Sequence, residues 1–463
     1  MITKFFKRIL RRDPMVKHTQ ANQTGAPKRI PKKSHHIDPH LLSKNAVKVT
    51  QTLQQAGFEA FIVGGAVRDL VLGIEPKDFD VATNATPDQV QRLFRKARLI
   101  GRRFQIVHVT FFGKGHPEII EVSTFRALLD NAGDHVAESG RILRDNVWGP
   151  QDGDAARRDF TINAMYYDPE TGEVIDYHGG IADAKKKVLR MIGDPATRYR
   201  EDPVRIVRAV RFVAKLSDLG FSLDAKTTAP LKRMLKLLTE VPQSRLFDEM
   251  LKLLQTGHAL ASVTQLKLLG LQKGIYPLLD IVVARSEEAF VKTALQDTDR
   301  RVGEGKPVAP SFLLACVLWS DVRESWNAKR LKQPPFPALQ EAIDEVFDSR
   351  IGDVSGRGKL GADMRDIWMM QPRFEKRVGS GPWTLVDHVR FRAGFDFMRL
   401  RADVGEVDVL LADWWQEFSL ADDASREDLL QQARAVAPPD AAPKKRRRRR
   451  KPSGGAERQI KVE

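Results

Sequence analysis

Apolar positions along this chain first follow a mixture of strand and short-helix rhythms, and beyond about residue 220 the pattern is helical. Leu42, Ala46, Val49 and Leu53 fall at i, i+4, i+7 and i+11, a single stripe that predicts a helix over 39–56 with Gly57 as its C-cap. The mostly apolar run 58–63 reads as a strand. Gly64 and Gly65 follow it, then a short helix over 66–72 stopped by Gly73. Pro76 opens an extended piece in which Asp78 and Asp80 project from one face while Phe79 points into a core. Thr86-Pro87-Asp88 starts a helix running to 94, with the proline in its first turn. Residues 99–109 read as two strands about a glycine bend, and 119–126 as a further strand in which Glu121 faces away from Ile120 and Val122. Residues 127–156, rich in Gly, Asp and Asn, read as a long loop.

From 199 onward a basic helix is expected, with Pro203 at its first position and Asp202 as N-cap. Arg205, Arg208 and Arg211 recur every three residues on one face, with Val204, Val207 and Val210 beside them. One side would pack while the other reaches anions. The amphipathic stretch 246–254 comes next, and helices over 312–319, 339–347, 363–370, 386–401 and 407–418 build a body. Trp414 and Trp415 are expected in its core. The fold class is therefore α+β at the N-terminal end and all-α after it.

Charge adds two tails to this picture. The net charge is +16, but residues 1–40 and 444–463 each contribute ten basic and two acidic residues, which leaves the middle close to neutral. The run Lys444, Lys445, Arg446, Arg447, Arg448, Arg449, Arg450, Lys451 is unbroken. Such blocks self-repel, stay disordered and attract polyanions, so the run is a candidate RNA-binding segment. A single cysteine, Cys316, rules out an intrachain disulfide and suits a reducing, cytoplasmic setting. No apolar run approaches the ~20 residues of a membrane span, so no stable membrane insertion is expected. The stretch 34–40 holds three histidines and Asp38, but nothing around it promises the packed shell a metal site needs.

The chemistry concentrates at 61–80. Two carboxylates side by side repel each other unless a cation sits between them. Mg²⁺ suits the pair, because it takes oxygen ligands and keeps positions for phosphate and water. Gly64 and Gly65 let backbone N–H groups approach a phosphate. A phosphate cradle beside a carboxylate pair is what nucleotidyl transfer needs. Glu121 is either a third carboxylate or an exposed strand residue. Arg157 and Arg158 offer paired guanidiniums to phosphate or ribose oxygens, with Asp159 able to orient an arginine or a metal-bound group.

The stretch 61–80 resembles the head motif of polymerase-β-like nucleotidyltransferases, in the class holding bacterial poly(A) polymerases and CCA-adding enzymes, whose signature is GGxVRD followed by DxD. RRDFTINAM at 157–165 resembles the second motif of that class, and 201–212 resembles EDPxRxxRxxRF. LIGRRF at 99–104 and LFDE at 246–249 are similar to stretches that mark poly(A) polymerases within the class. The resemblance implies a catalytic head over 38–195, a neck over 196–265, an RNA-binding helical body over 266–435, and disordered basic tails at 1–37 and 436–463. It implies that AMP from ATP is added to RNA 3′ ends, with Asp78 and Asp80 holding two Mg²⁺ ions and Asp159 as the third active-site acid. Gly64, Gly65 and Arg68 would hold the triphosphate. Arg158, Asp202, Arg205 and Arg208 would position ribose, phosphate and base, with Asp202 and Arg205 on the base edge. The tail would hold RNA and engage RNA-decay proteins. The rivals are a CCA-adding enzyme, which uses the same motifs, and a non-catalytic RNA-binding protein, which has no need of two repelling carboxylates.

Overall fold

The computed structural model describes residues 26–101, 105–113, 117–127, 147–351 and 358–436. The expected disorder of the first 25 residues, the arginines of LIGRRF, most of the 127–156 loop and the 444–451 run lie outside these. The chain divides into two compact units, one running to Asp321 with Asp344–Gly361, the other made of Val322–Ile343 and the chain from Ala362 onward.

The first unit is built on one eight-stranded mixed sheet. Its strands are β1 (Lys28–Ile30), β2 (Ala60–Val63), β3 (Asp80–Thr83), β4 (Ala97–Ile100), β5 (Ile106–Phe111), β6 (Glu118–Thr124), β7 (Met165–Asp168) and β8 (Glu173–Asp176), in the order β1-β8-β7-β2-β3-β6-β5-β4. Every neighbouring pair is antiparallel except β3 and β6, which run parallel and set Asp80 opposite Glu121. Strand β2 is buried throughout, as its apolar sequence AFIV demands of a central strand.

Helix α1 (Lys44–Gln55) lays Ala46, Val49 and Leu53 on the sheet, with Val67, Phe79, Val81 and Val122 in the same core. It is shorter than expected at its start. Ser43 caps it by accepting from the N–H groups of Asn45 and Ala46, and Pro39–Leu41 forms a separate 3-10 turn. The basic arm also ends earlier than its composition implied, because Lys28–Ile30 pairs with β8 as an edge strand. Within the histidine stretch His35 is a packing residue: its Nε2 lies 2.9 Å from the Gly172 carbonyl and its Nδ1 accepts from the Ile37 N–H.

Helix α2 (Gly65–Val71) follows β2, and α3 (Pro87–Leu93) opens on a Thr86–Gln89 capping box. Residues expected as the end of a loop form α4 (Gln151–Arg157). Next come α5 (Gly180–Lys186), α6 (Pro195–Glu201), α7 (Arg205–Lys215) and α8 (Gln243–Leu254), then helices Ala259–Leu268, Pro277–Arg285 and Ala289–Gly303. Helix α7 buries Ile206, Val207, Val210 and Val213, so the face beside the arginines packs as its pattern required.

The second unit is all helical. Trp415 is fully buried and donates from Nε1 to the Phe374 carbonyl, and it packs with Phe391, Phe395 and Phe418. The helix expected over 386–401 is two helices, Gly381–Val386 and Phe391–Asp403. His388 accepts the Arg390 N–H through Nδ1 at the break, and Val389 is left exposed. No helix among the described residues is long and apolar enough to cross a membrane.

Candidate active site

The site forms where β2 ends and β3 begins. Gly64 leaves β2 with φ 77° and ψ −130°, a conformation open to glycine and few others. A side chain there would also meet Arg158 Nη1 at 3.6 Å and Asp80 Oδ2 at 3.9 Å. The turn therefore brings the backbone against both charged groups at once.

Asp78 is exposed just before β3 and Asp80 is its first residue, while Phe79 between them is buried in the head core. The alternation expected from period-two geometry holds. Asp80 opens to solvent on one side and is enclosed by protein on the others, and its carboxyl is pushed up to about 6. Burial is the main cause and Glu121 the second; Asp78 adds to the rise and Arg158 opposes it. Glu121 faces Asp80 across the parallel pair and lies 3.3 Å from His108 Nε2 through Oε1.

This donor set fits a hard divalent cation. Its carboxylates destabilise one another's charge in the bare protein, and a cation would remove that cost. No group of three or more ligating side chains among the described residues is gathered to hold a metal by itself. That agrees with an ion completed by water and substrate phosphate, the usual situation for Mg²⁺.

Arg158 projects from the end of α4. Its Nη2 donates to Asp154 Oδ2 at 2.9 Å, and its guanidinium packs on the Tyr166 ring. The Tyr166 hydroxyl donates to the same carboxylate oxygen at 2.7 Å. Burial works against the Arg158 charge, but Tyr166 and Asp154 hold it protonated, above the ordinary arginine range.

Other arginines turn inward, which the sequence did not show. Arg68 is only 2% exposed, donating to Asp69 and Asn163, so it ties α2 to the 157–165 motif with no guanidinium surface left for a triphosphate. Arg205 is 7% exposed, and all three of its nitrogens are engaged. Nε donates to Asp159 at 2.9 Å, Nη1 to the Arg198 carbonyl and Glu201, and Nη2 to the Arg157 carbonyl. It is not presented to a base edge. Arg211 pairs with the buried Glu249 of the LFDE stretch. The anions reached by this face are thus mainly the protein's own carboxylates.

Asp159 is the hub of that network. It takes Arg205 on one oxygen and Arg208 on the other, the latter at 2.6 Å. Burial alone would raise its carboxyl, but Arg208 and Arg205 bring it down to about 2. The charges that act on Asp80 come from Glu121, Arg158 and Asp78, so the structure gathers Glu121 to the carboxylate pair and Asp159 to the neck. Arg208 keeps its terminal nitrogens free, as no hydrogen bond to them occurs among the described residues.

Sequence reasoning missed Asp154, Tyr166, Arg198, Glu201 and Arg245. Arg198 donates to the Arg157 and Arg158 carbonyls at 2.6 and 2.9 Å and to Glu201 at 2.7 Å, locking the neck to the segment that aims Arg158. The i,i+3 spacing of Arg198 and Glu201, and the i,i+4 spacing of Glu201 and Arg205, were the available signal. Arg245 pairs with Asp202 across 43 residues, with no local signal at all.

Three family models match. They are described as the poly A polymerase head domain, over residues 60–190; a probable RNA and SrmB-binding site of polymerase A, over 220–282; and the polymerase A arginine-rich C-terminus, over 331–452. Poly(A) polymerase I of Haemophilus influenzae is 42% identical over 86% of this chain and 90% of its own length, and that of Salmonella typhi 39% over 93% and 94%. The CCA-adding enzyme of Bacillus pumilus is 40% identical, but over 46% of this chain and 50% of its own length. A solved CCA-adding enzyme of Bacillus stearothermophilus in complex with CTP aligns over 86% of the chain at 23% identity and a TM-score of 0.44.

Proposed function

Because this chain belongs to the poly(A) polymerase family and is a nucleotidyltransferase built for template-independent addition to RNA 3′ ends, we propose that it transfers AMP units from ATP and releases pyrophosphate. What carries this reading is the junction of β2 and β3, where a glycine turn sets Arg158 against Asp80 beside Asp78 and Glu121. The likeness to poly(A) polymerase I over nearly the whole chain favours ATP over the C-then-A sequence of a CCA-adding enzyme, whose likeness here stops at about half the chain.

Asp78 and Asp80 would hold Mg²⁺, with Glu121 as the third carboxylate nearby. Bound Mg²⁺ would supply acidity to the RNA 3′-hydroxyl and balance charge on the leaving pyrophosphate, in the manner of two-metal sites. Arg158, held rigid by Asp154 and Tyr166, meets phosphate from the side of the glycine turn. Gly64 and Gly65 offer backbone N–H groups to the triphosphate. Arg68 serves that loop by fixing α2 to Asn163. Asp159 serves the nucleotide indirectly, holding Arg208 and Arg205 in place. Asp202 accepts from the exocyclic amine of the base. RNA is held by the helical segments after the neck and by the 444–451 basic run, which is also where RNA-decay proteins would dock, in a bacterial cytoplasm.

Asp78→Ala tests the assignment. AMP incorporation into a short RNA should fall below detection while RNA affinity by filter binding stays within about twofold, since a lone carboxylate adds little to polyanion binding. Activity surviving in this variant would refute the placement of the cation.

A further inference from the structure

One contact at the neck lies outside the motifs and has a form suited to a ligand. Asp202 ends α6, and Arg245 sits in the first turn of α8. Arg245 Nη2 donates to both Oδ1 and Oδ2 of Asp202, each at 3.1 Å. Both side chains are open to solvent, at 38% and 29% exposure. The Nε and Nη1 of Arg245 have no partner among the described residues, and one nitrogen spanning both oxygens leaves lone-pair sites of the carboxylate unused.

Arg205, the arginine that the motif spacing puts forward to accompany Asp202 at the base, stands in contrast. Reaching a ligand would require it to abandon Asp159, Glu201 and two backbone carbonyls from a site that is 7% exposed. Leaving Asp159 and Glu201 buried without their cation is strongly unfavourable. Arg245 faces no such barrier.

We propose that Arg245, rather than Arg205, is the cationic half of the base reader, acting beside Asp202. The inference rests on the assignment of ATP as substrate made above. Adenine presents an amino group next to a ring nitrogen with a free lone pair. The amine donates to Asp202, and Arg245 donates from a free nitrogen to N1. Cytosine offers the same pair of groups. Guanine and uracil offer a carbonyl and an N–H in those places, so a carbonyl would confront the carboxylate and an N–H would confront the guanidinium. The Asp202–Arg245 pair therefore selects the amino bases against the oxo bases.

The test compares ATP with two analogues on the full-length protein and an unstructured RNA. 1-Deazaadenosine triphosphate lacks the N1 acceptor, and purine riboside triphosphate lacks the amine. Wild-type kcat/KM should fall about 10- to 100-fold on going from ATP to the 1-deaza analogue, the range for losing one hydrogen bond to a charged group. Arg245→Ala should lose a similar factor with ATP and nothing further with the 1-deaza analogue, while still discriminating against purine riboside triphosphate through Asp202. Arg245→Gln, which keeps a neutral donor, should retain part of the 1-deaza discrimination. A merely structural role would lower activity with ATP and the analogue equally. If Arg245→Ala discriminates against the 1-deaza analogue as the wild type does, the assignment of Arg245 is overturned while AMP transfer stands. If the wild type fails to incorporate AMP at all, the assignment of the substrate falls and this inference with it.

Discussion

Replacing Asp159 by asparagine removes one negative charge from between two arginines and keeps the shape of the side chain. The carboxyl of Asp159 stands at about 2 rather than 3.8 because Arg208 and Arg205 outweigh the effect of its burial. A displacement of that size makes the charged form more favourable in the folded protein by about 2 kcal/mol. The variant also leaves Arg205 buried and short of a counterion, with Glu201 as its remaining carboxylate, and breaking a buried pair this way costs up to ~3–5 kcal/mol. Asp159→Asn should therefore lower stability at pH 7 by at least ~2 kcal/mol, or roughly 4–8 °C in the transition of the first unit. The sign with pH follows from the depressed value. The contribution of Asp159 is complete above about pH 4 and is lost as the pH falls through about 2, so wild type and variant should converge over that window. Urea unfolding followed by tryptophan fluorescence and calorimetry, from pH 7 downward, reads both quantities. Equal stabilities at pH 7, or a gap that persists unchanged at acid pH, would refute the role of Asp159 as the hub of the neck arginines.

Glu121→Gln should raise the Mg²⁺ concentration needed for half-maximal incorporation without changing RNA affinity, and chelation by EDTA should stop incorporation until Mg²⁺ is returned; an unchanged Mg²⁺ profile would remove Glu121 from the site. Deleting residues 444–463 removes eight net positive charges, so RNA affinity at low salt should drop and the plot of log K against log salt should flatten by ~0.7 for each phosphate no longer neutralised. An unchanged slope would place RNA binding elsewhere.

The carboxylate pair and its buried neighbour were legible because they depend on local geometry. Asp78, Phe79 and Asp80 follow the two-residue alternation of extended chain, and the glycine turn before them follows from residue type. Strands β1, β7 and β8 were not legible, since KRI, MYYD and EVID carry no alternation longer than two or three residues and gain their place from the sheet around them. The helix 151–157 was hidden in the same way by a glycine and the lack of an apolar stripe.

The destinations of the arginines were the least legible part. Arg205, Arg208 and Arg211 share a face by spacing, as expected. Which of them remains available to a ligand is decided by Asp159, Glu201 and Glu249, two of which reach the helix from other parts of the chain. A guanidinium near a phosphate site and one buried on a protein carboxylate read identically in sequence. Burial and hydrogen-bond partners separate Arg68 and Arg205, both occupied, from Arg208 and Arg245, which keep free donors.

The account stands or falls on nucleotide choice with a plain RNA. Purified protein, Mg²⁺ and an RNA lacking tRNA structure would be incubated with each NTP separately, and the products sized on a gel. A long ladder with ATP, and none of comparable length with CTP, GTP or UTP, is the predicted result. Failure to extend that RNA, with C and A added instead to a tRNA lacking its end, would contradict it.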